Sequence, residues 1–170
     1  LVVADSPETA RQAAGFVEAD LEPLPALFDF EKALEREAPR LYPDREKGNL
    51  IVEGYVRRGN ADEVLAACDH VVSGTFRFPA QEHAYLEPEA GTADLQDGVV
   101  TVYMASQALA FHQRGVAAVL GLPPEKVRLV HVSPGGGFGA RNDLSLHPYL
   151  ALAAQRSGGP VKMVLTRAES

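Results

Sequence analysis

Two stretches carry residue types that could do chemistry: Gln81-Glu82-His83-Ala84-Tyr85-Leu86-Glu87-Pro88 and Ser133-Pro134-Gly135-Gly136-Gly137-Phe138-Gly139-Ala140-Arg141-Asn142. In the second, four glycines fall in five positions, between the strand-like run 127–132 and a helical pattern over 146–156. Glycine tolerates positive φ and puts no Cβ between the backbone and an approaching group. A glycine cluster between strand and helix therefore aims N–H groups at a ligand, an anion or an oxo group. A sharp connecting turn is the alternative. In the first stretch, Gln81 offers an amide donor and an acceptor to an oxo or hydroxyl ligand. Glu82, His83 and Glu87 are metal-ligating types, but Pro79 and Pro88 bracket them and spoil helical spacing. Structural roles are expected for His83 and Glu87, with no protein-ligated metal.

The remaining candidates read as structural. Ser106 fits an N-cap, and no Gly-x-Ser-x-Gly elbow is present to make it a nucleophile. His70, His112, His131 and His147 each stand alone, as surface or satisfied core residues. Cys68 is the one cysteine, which excludes an internal disulfide and a cysteine-held cluster; its surroundings predict a small buried apolar residue. Gly135, Gly137 and Ala140 spell a dinucleotide-binding pattern. The acidic residue expected about 20 positions on is missing, however, because 158–160 is a Gly-Gly-Pro turn and Glu169 lies too far. Arg141 is awkward for that fold, though useful to a phosphate.

Local elements must position these residues. Strands are expected at 1–4, 17–21, 50–56, 71–78, 92–95, 99–104, 127–132 and 161–165, from their β-branched or alternating composition. Asp97-Gly98 signals a hairpin. Helices are expected from Pro7, over 29–37, from Asn60 to Cys68, over 107–120 with a stop at Gly121, and over 146–156. From residue 71 the order is strand, hairpin, helix, strand, glycine loop, helix, strand: a mixed α/β pattern whose ligand sites sit at loops beyond strand ends.

Bulk composition narrows the class. Hydrophobic residues make up 46% of 170, enough for a packed core rather than a disordered chain. A net charge of −7 argues against nucleic acid or an anionic membrane as partner. The lone cysteine points to a reducing, cytoplasmic setting. The sequence opens inside a strand-like run with no initiator Met, as expected of a piece of a longer polypeptide.

In order and spacing, residues 81–88, then Ser106-Gln107, then 135–139 resemble the molybdenum hydroxylases, the xanthine dehydrogenase and aldehyde oxidase family. Residues 54–60 resemble the segment that introduces the family's molybdopterin-binding part, and 18–27 the end of the preceding small domain. The resemblance implies an α+β (mixed α/β) fold, with the tail of a small hammerhead-like domain at 1–48 and the start of the molybdopterin-binding domain at 49–170. It implies molybdopterin carrying molybdenum, in the cytosine dinucleotide form, and hydroxylation of a purine-like N-heterocycle or an aldehyde with water as oxygen source. The implied partners are the remainder of the catalytic subunit, iron–sulfur and FAD modules on other domains or subunits, and a small-molecule substrate. Carried over by motif, Gln81 would hydrogen-bond a molybdenum oxygen, and the N–H groups of Phe138 and Gly139 would line metal and pterin. Gly137 and Arg141 would be cofactor-binding, and Asn142 would face substrate. Many relatives have Gly-Gly-Lys-Glu where this chain has Gly139-Ala140-Arg141-Asn142, so a less purine-like substrate, or another purine orientation, is implied. The family's general-base glutamate and most pterin contacts fall beyond Ser170, and the chain alone is expected to be inactive. A non-catalytic structural fragment and a dinucleotide-binding domain are the alternatives.

Overall fold

Asp97 and Gly98 both adopt positive φ, 51° and 72°, as a two-residue hairpin turn demands. They join β1 (Ala90–Gln96) to β2 (Val99–Met104). From β2 the chain enters α3 (Leu109–Leu120) and returns through β3 (Val127–His131), parallel to β2. The glycine loop follows, then α4 (His147–Ser157) and β4 (Val161–Val164), which pairs antiparallel with β1 at the other edge. The four-stranded sheet has the order β3-β2-β1-β4. This computed structural model describes residues 1–170.

Alternation on β2 sends Val100, Val102 and Met104 into the core, while Thr101 and Tyr103 face away. The helices cover that one face: α3 lies against β3, and α4 against β1 and β2. Val116 and Ala117 of α3 meet Leu150, Ala151 and Ala154 of α4 over Ala93, Val102 and Val127. The opposite face is unclad, which explains the alternating burial. No helix is long and apolar enough to cross a membrane.

The chain divides into two compact units. One joins Leu1–Glu18 to Pro79–Ser170 and contains the sheet, α3, α4 and α1 (Pro7–Ala14). Ser6 caps α1, its hydroxyl accepting from the Thr9 N–H at 3.1 Å. The other unit, Ala19–Phe78, holds α2 (Ala61–Ala66) and a single 3-10 turn, Lys32–Leu34. Within it the Asn49 amide donates to the Ala33 and Pro39 carbonyls and accepts from the Leu41 N–H. The boundary expected at 48/49 falls inside this unit.

Five elements expected from sequence do not form. Residues 1–4, 17–21, 50–56 and 71–78 make no strand, and 29–37 shrinks to the 3-10 turn. A strand needs a neighbour to take its N–H and C=O groups, and these segments pair with none. Their apolar side chains lie exposed, Val52, Val56 and Val72 among them. Cys68 is likewise exposed rather than buried, because α2, just before it, buries none of its residues.

Candidate cofactor site

The two chemistry-bearing stretches meet. The Gly135 N–H donates to Glu87 Oε2 at 2.7 Å, and the Glu87 N–H donates back to the Gly135 carbonyl at 3.2 Å. A Cβ on Gly135 would overlap the Glu87 Cβ, one on Gly136 would stand 2.9 Å from the Tyr85 Cβ, and one on Gly139 would stand 3.7 Å from His83 Nε2. Every second residue of 83–87 therefore faces the loop; at Gly135 and Gly136 a Cβ would not fit, whereas at Gly139 it would make ordinary contact. Gly136 and Gly139 have φ of 103° and 106°, where side chains rarely go, and Phe138 itself sits at 51°. Phe138 is 75% exposed, so burial of its ring is not what holds it there.

Gln107 clamps the loop from the other side. Its Oε1 accepts from the Gly139 N–H at 3.1 Å and the Arg141 N–H at 3.2 Å, and its own N–H donates to the Arg141 carbonyl at 2.9 Å. The Ala140 N–H goes to the Gly137 carbonyl and the Asn142 N–H to the Gly139 carbonyl. Three consecutive donors, the N–H groups of Gly136, Gly137 and Phe138, have no acceptor in the chain. Unpaired backbone donors, in a loop with positive φ at Gly136, Phe138 and Gly139, form a site for an anionic or oxo group.

Arg141 is buried, its side chain only 1% exposed. Its Nε donates to the Gly136 carbonyl at 2.8 Å, and one terminal nitrogen donates to the Glu87 carbonyl and, at 2.9 Å, to Glu87 Oε2. The other terminal nitrogen lies 3.5 Å from Glu89 Oε1 without a well-formed hydrogen bond. The guanidinium stacks over Tyr85 at 4.6 Å, and Tyr85 donates to Glu89 at 2.8 Å. Burial first, and Glu89 second, push the Tyr85 hydroxyl above its ordinary range. The guanidinium thus lies on two carboxylates with one terminal nitrogen lacking a hydrogen bond, while the Arg141 N–H goes to Gln107. Within the chain these contacts hold the loop to residues 85–89.

Ser106, His112 and His147 form the floor beneath the loop. His112 Nε2 lies 2.9 Å from the Asn142 carbonyl, which can only accept, so this nitrogen carries the proton. Nδ1 then accepts from the Ser106 hydroxyl at 2.9 Å, and Ser106 Oγ accepts from the Ala108 N–H at 3.0 Å. The N-cap of α3 is Ala108, not Ser106 as expected; Ser106 lies two residues earlier and accepts from the N–H of that cap residue. His147 packs on His112 with ring centroids 4.4 Å apart, and neither of its ring nitrogens is hydrogen-bonded. Burial, then the neighbouring His112, drive its pKa down to about 4.

The other expected residues fall as follows. Gln81 is exposed, two residues before His83, and its amide makes no hydrogen bond within the chain. Asn142 is exposed, its backbone fixed and its side chain unpaired. Gly139 gives its N–H to Gln107 rather than leaving it free, while Gly137 and Phe138 keep theirs. No group of three or more His, Cys, Asp or Glu side chains comes together to hold a metal ion. His83 lies instead against Gly139, and Glu87 binds Gly135 and Arg141. Gln107 is the residue that sequence reading missed. Its partners lie more than thirty positions away, and the only signal was its place beside Ser106. The dinucleotide alternative is also corrected. α4 starts only at His147, well past the glycines, and β4 lies at the opposite edge from β3, so the loop opens no βαβ unit.

Residues 42–170 match the family described as the molybdopterin cofactor-binding domain. The chain belongs to this family. It is 35% identical to a probable xanthine dehydrogenase subunit of Bacillus subtilis, over 99% of this chain and 22% of that protein. It is 33% identical to the nicotinate dehydrogenase large molybdopterin subunit of Eubacterium barkeri, over 100% of this chain and 40% of that one. Its fold matches the aldehyde oxidoreductase of Desulfovibrio gigas with a TM-score of 0.84 and 29% identity, over 96% of this chain and 18% of that one. The chain thus spans well under half the length of these relatives. Its mixed α/β fold is that of the molybdopterin cofactor-binding family. The residues present fit such a group: three unpaired N–H donors lie in a loop whose glycines leave room for backbone approach.

Proposed function

We propose that this chain forms one wall of the molybdopterin site in the catalytic subunit of a molybdenum hydroxylase acting on an N-heterocycle or an aldehyde. When bound, the molybdenum cofactor, in its cytosine dinucleotide form, supplies two-electron oxidation with water as the oxygen source, and iron–sulfur and FAD modules elsewhere in the enzyme carry the electrons away. The chain's own residues bind and orient. The N–H groups of Gly136, Gly137 and Phe138 present fixed donors to an anionic or oxo group, needing no reorganisation as charge builds. Gln81 adds an amide donor. Asn142, with both a donor and an acceptor and no charge, orients the substrate and favours a less purine-like hydrogen-bond pattern than a carboxylate would. The boundary at 48/49 between a small-domain tail and the molybdopterin-binding domain belongs to this reading. A cytoplasmic setting also belongs to it, supported by an exposed lone cysteine.

The observation that carries this reading is the run of three unpaired N–H groups between two docked motifs. Its functional test is Gln81→Ala in the full-length enzyme. Removing one positioned donor lowers kcat by about 100-fold. Gln81 is exposed and unpaired, so melting temperature and molybdenum content should stay at the parent values. Turnover within about twofold of the parent would remove Gln81 from the site.

A further inference from the structure

We infer that Gln107 is a positioning residue that decides which amides of the glycine loop face the cofactor, an assignment that rests on the proposed reading of the site. The N–H groups from Gly135 to Asn142 divide cleanly. Those of Gly139 and Arg141 converge on one oxygen, Gln107 Oε1. That of Gly135 goes to Glu87, and those of Ala140 and Asn142 close turns within the loop. Gly136, Gly137 and Phe138 are left over. One side-chain oxygen thus draws two amides to the α3 side and leaves the others on the far side.

The fit is close. A Cβ on Gly137 would stand 2.8 Å from Gln107 Oε1, so the absence of a side chain there serves the clamp as well as any ligand. Gln107 adds a third hydrogen bond through its own N–H to the Arg141 carbonyl, so 139–141 is held at both its donors and its acceptor. His112, also on α3, holds the next carbonyl, that of Asn142. The start of α3 therefore sets the whole turn. Gln107 is itself exposed, and its amide nitrogen makes no hydrogen bond, so it acts purely as an acceptor and contributes little to the core. A glutamate can do the same; a methionine of the same length cannot.

The experiment uses the full-length subunit, with three variants: Gln107→Met, Gln107→Glu and Gln107→Asn. Hydrogen–deuterium exchange is read on cofactor-stripped protein and molybdenum per chain on protein as purified. In Gln107→Met, losing the shared acceptor should speed exchange at Gly139 and Arg141 by roughly 5-fold. Molybdenum should fall severalfold, with a melting temperature near the parent value. Gln107→Glu should keep both the slow exchange and the molybdenum. Gln107→Asn, one methylene short of its partners, should behave like Gln107→Met and decides the matter if the methionine variant does not fold. Parent-like exchange in both Gln107→Met and Gln107→Asn would overturn the assignment. So would equal losses in Gln107→Glu. A parent subunit that holds no molybdenum would defeat the cofactor reading but leave the exchange result standing, so the two failures are distinguishable.

Discussion

Arg141→Met should destabilise the fold by about 3–5 kcal/mol, the range for breaking a buried ion pair by removing one partner. Arg141 is almost wholly buried and lies against two carboxylates, of which Glu89 is itself only 9% exposed. Without the guanidinium, Glu89 keeps its hydrogen bonds from Tyr85 and Ser145 but faces no cation. The Gly136 and Glu87 carbonyls lose their donors as well. The exposed pair Arg11–Glu8, by contrast, is screened by solvent and contributes little. Chemical denaturation measures the loss. A double variant, Arg141→Met with Glu89→Gln, should recover part of it, since the uncompensated charge is then gone. A loss below about 1 kcal/mol for Arg141→Met would mean that the cluster is not what holds the loop to 85–89.

The second large effect is acid sensitivity through His147. The unfolded chain takes up this proton at the ordinary value of 6.5, the folded chain only near 4. Between those values the unfolded state binds more protons, so stability falls as pH drops. The stabilising effect of keeping His147 neutral is complete above 6.5, and about 3 kcal/mol of it is lost by pH 4. The physical cause is geometric: His147 is 2% exposed, without a well-formed hydrogen bond, and packed at a tilt against His112, and the nearby Ala105 backbone offsets only part of the shift. His147→Leu should remove this share of the pH dependence while other groups continue to titrate. Denaturation at pH 7 and pH 4 for both proteins gives the difference. Equal losses in the two would show that His147 does not resist protonation.

Legibility followed the range of the interactions. The Asp97-Gly98 hairpin, α1 with its Ser6 cap, α3, α4, β3 and β4 were readable because turn chemistry and periodicity act within a few residues. Residues 50–56 and 71–78 carry strand-like patterns too, but a pattern names only which face would be buried, not what pairs with the edge. The glycine loop could be read as a donor cluster from its composition. The division of its amides could not, since it depends on Gln107 more than thirty residues earlier and on Glu87 about fifty earlier. Arg141 illustrates the same limit. As a cation in a glycine loop it reads as an anion ligand, and its ion pairs with Glu87 and Glu89, about fifty residues earlier, were not legible.

The central claim, that Gly136, Gly137 and Phe138 donate to the molybdenum cofactor, is tested most directly by amide exchange. The full-length subunit is compared with and without its cofactor, residue by residue across the loop. If these amides seat the cofactor, their exchange should slow by at least about 10-fold on loading. Gly139 and Arg141, already held by Gln107, should change little. Unchanged exchange at 136–138 between loaded and stripped protein would contradict the claim and leave the glycine loop a structural turn.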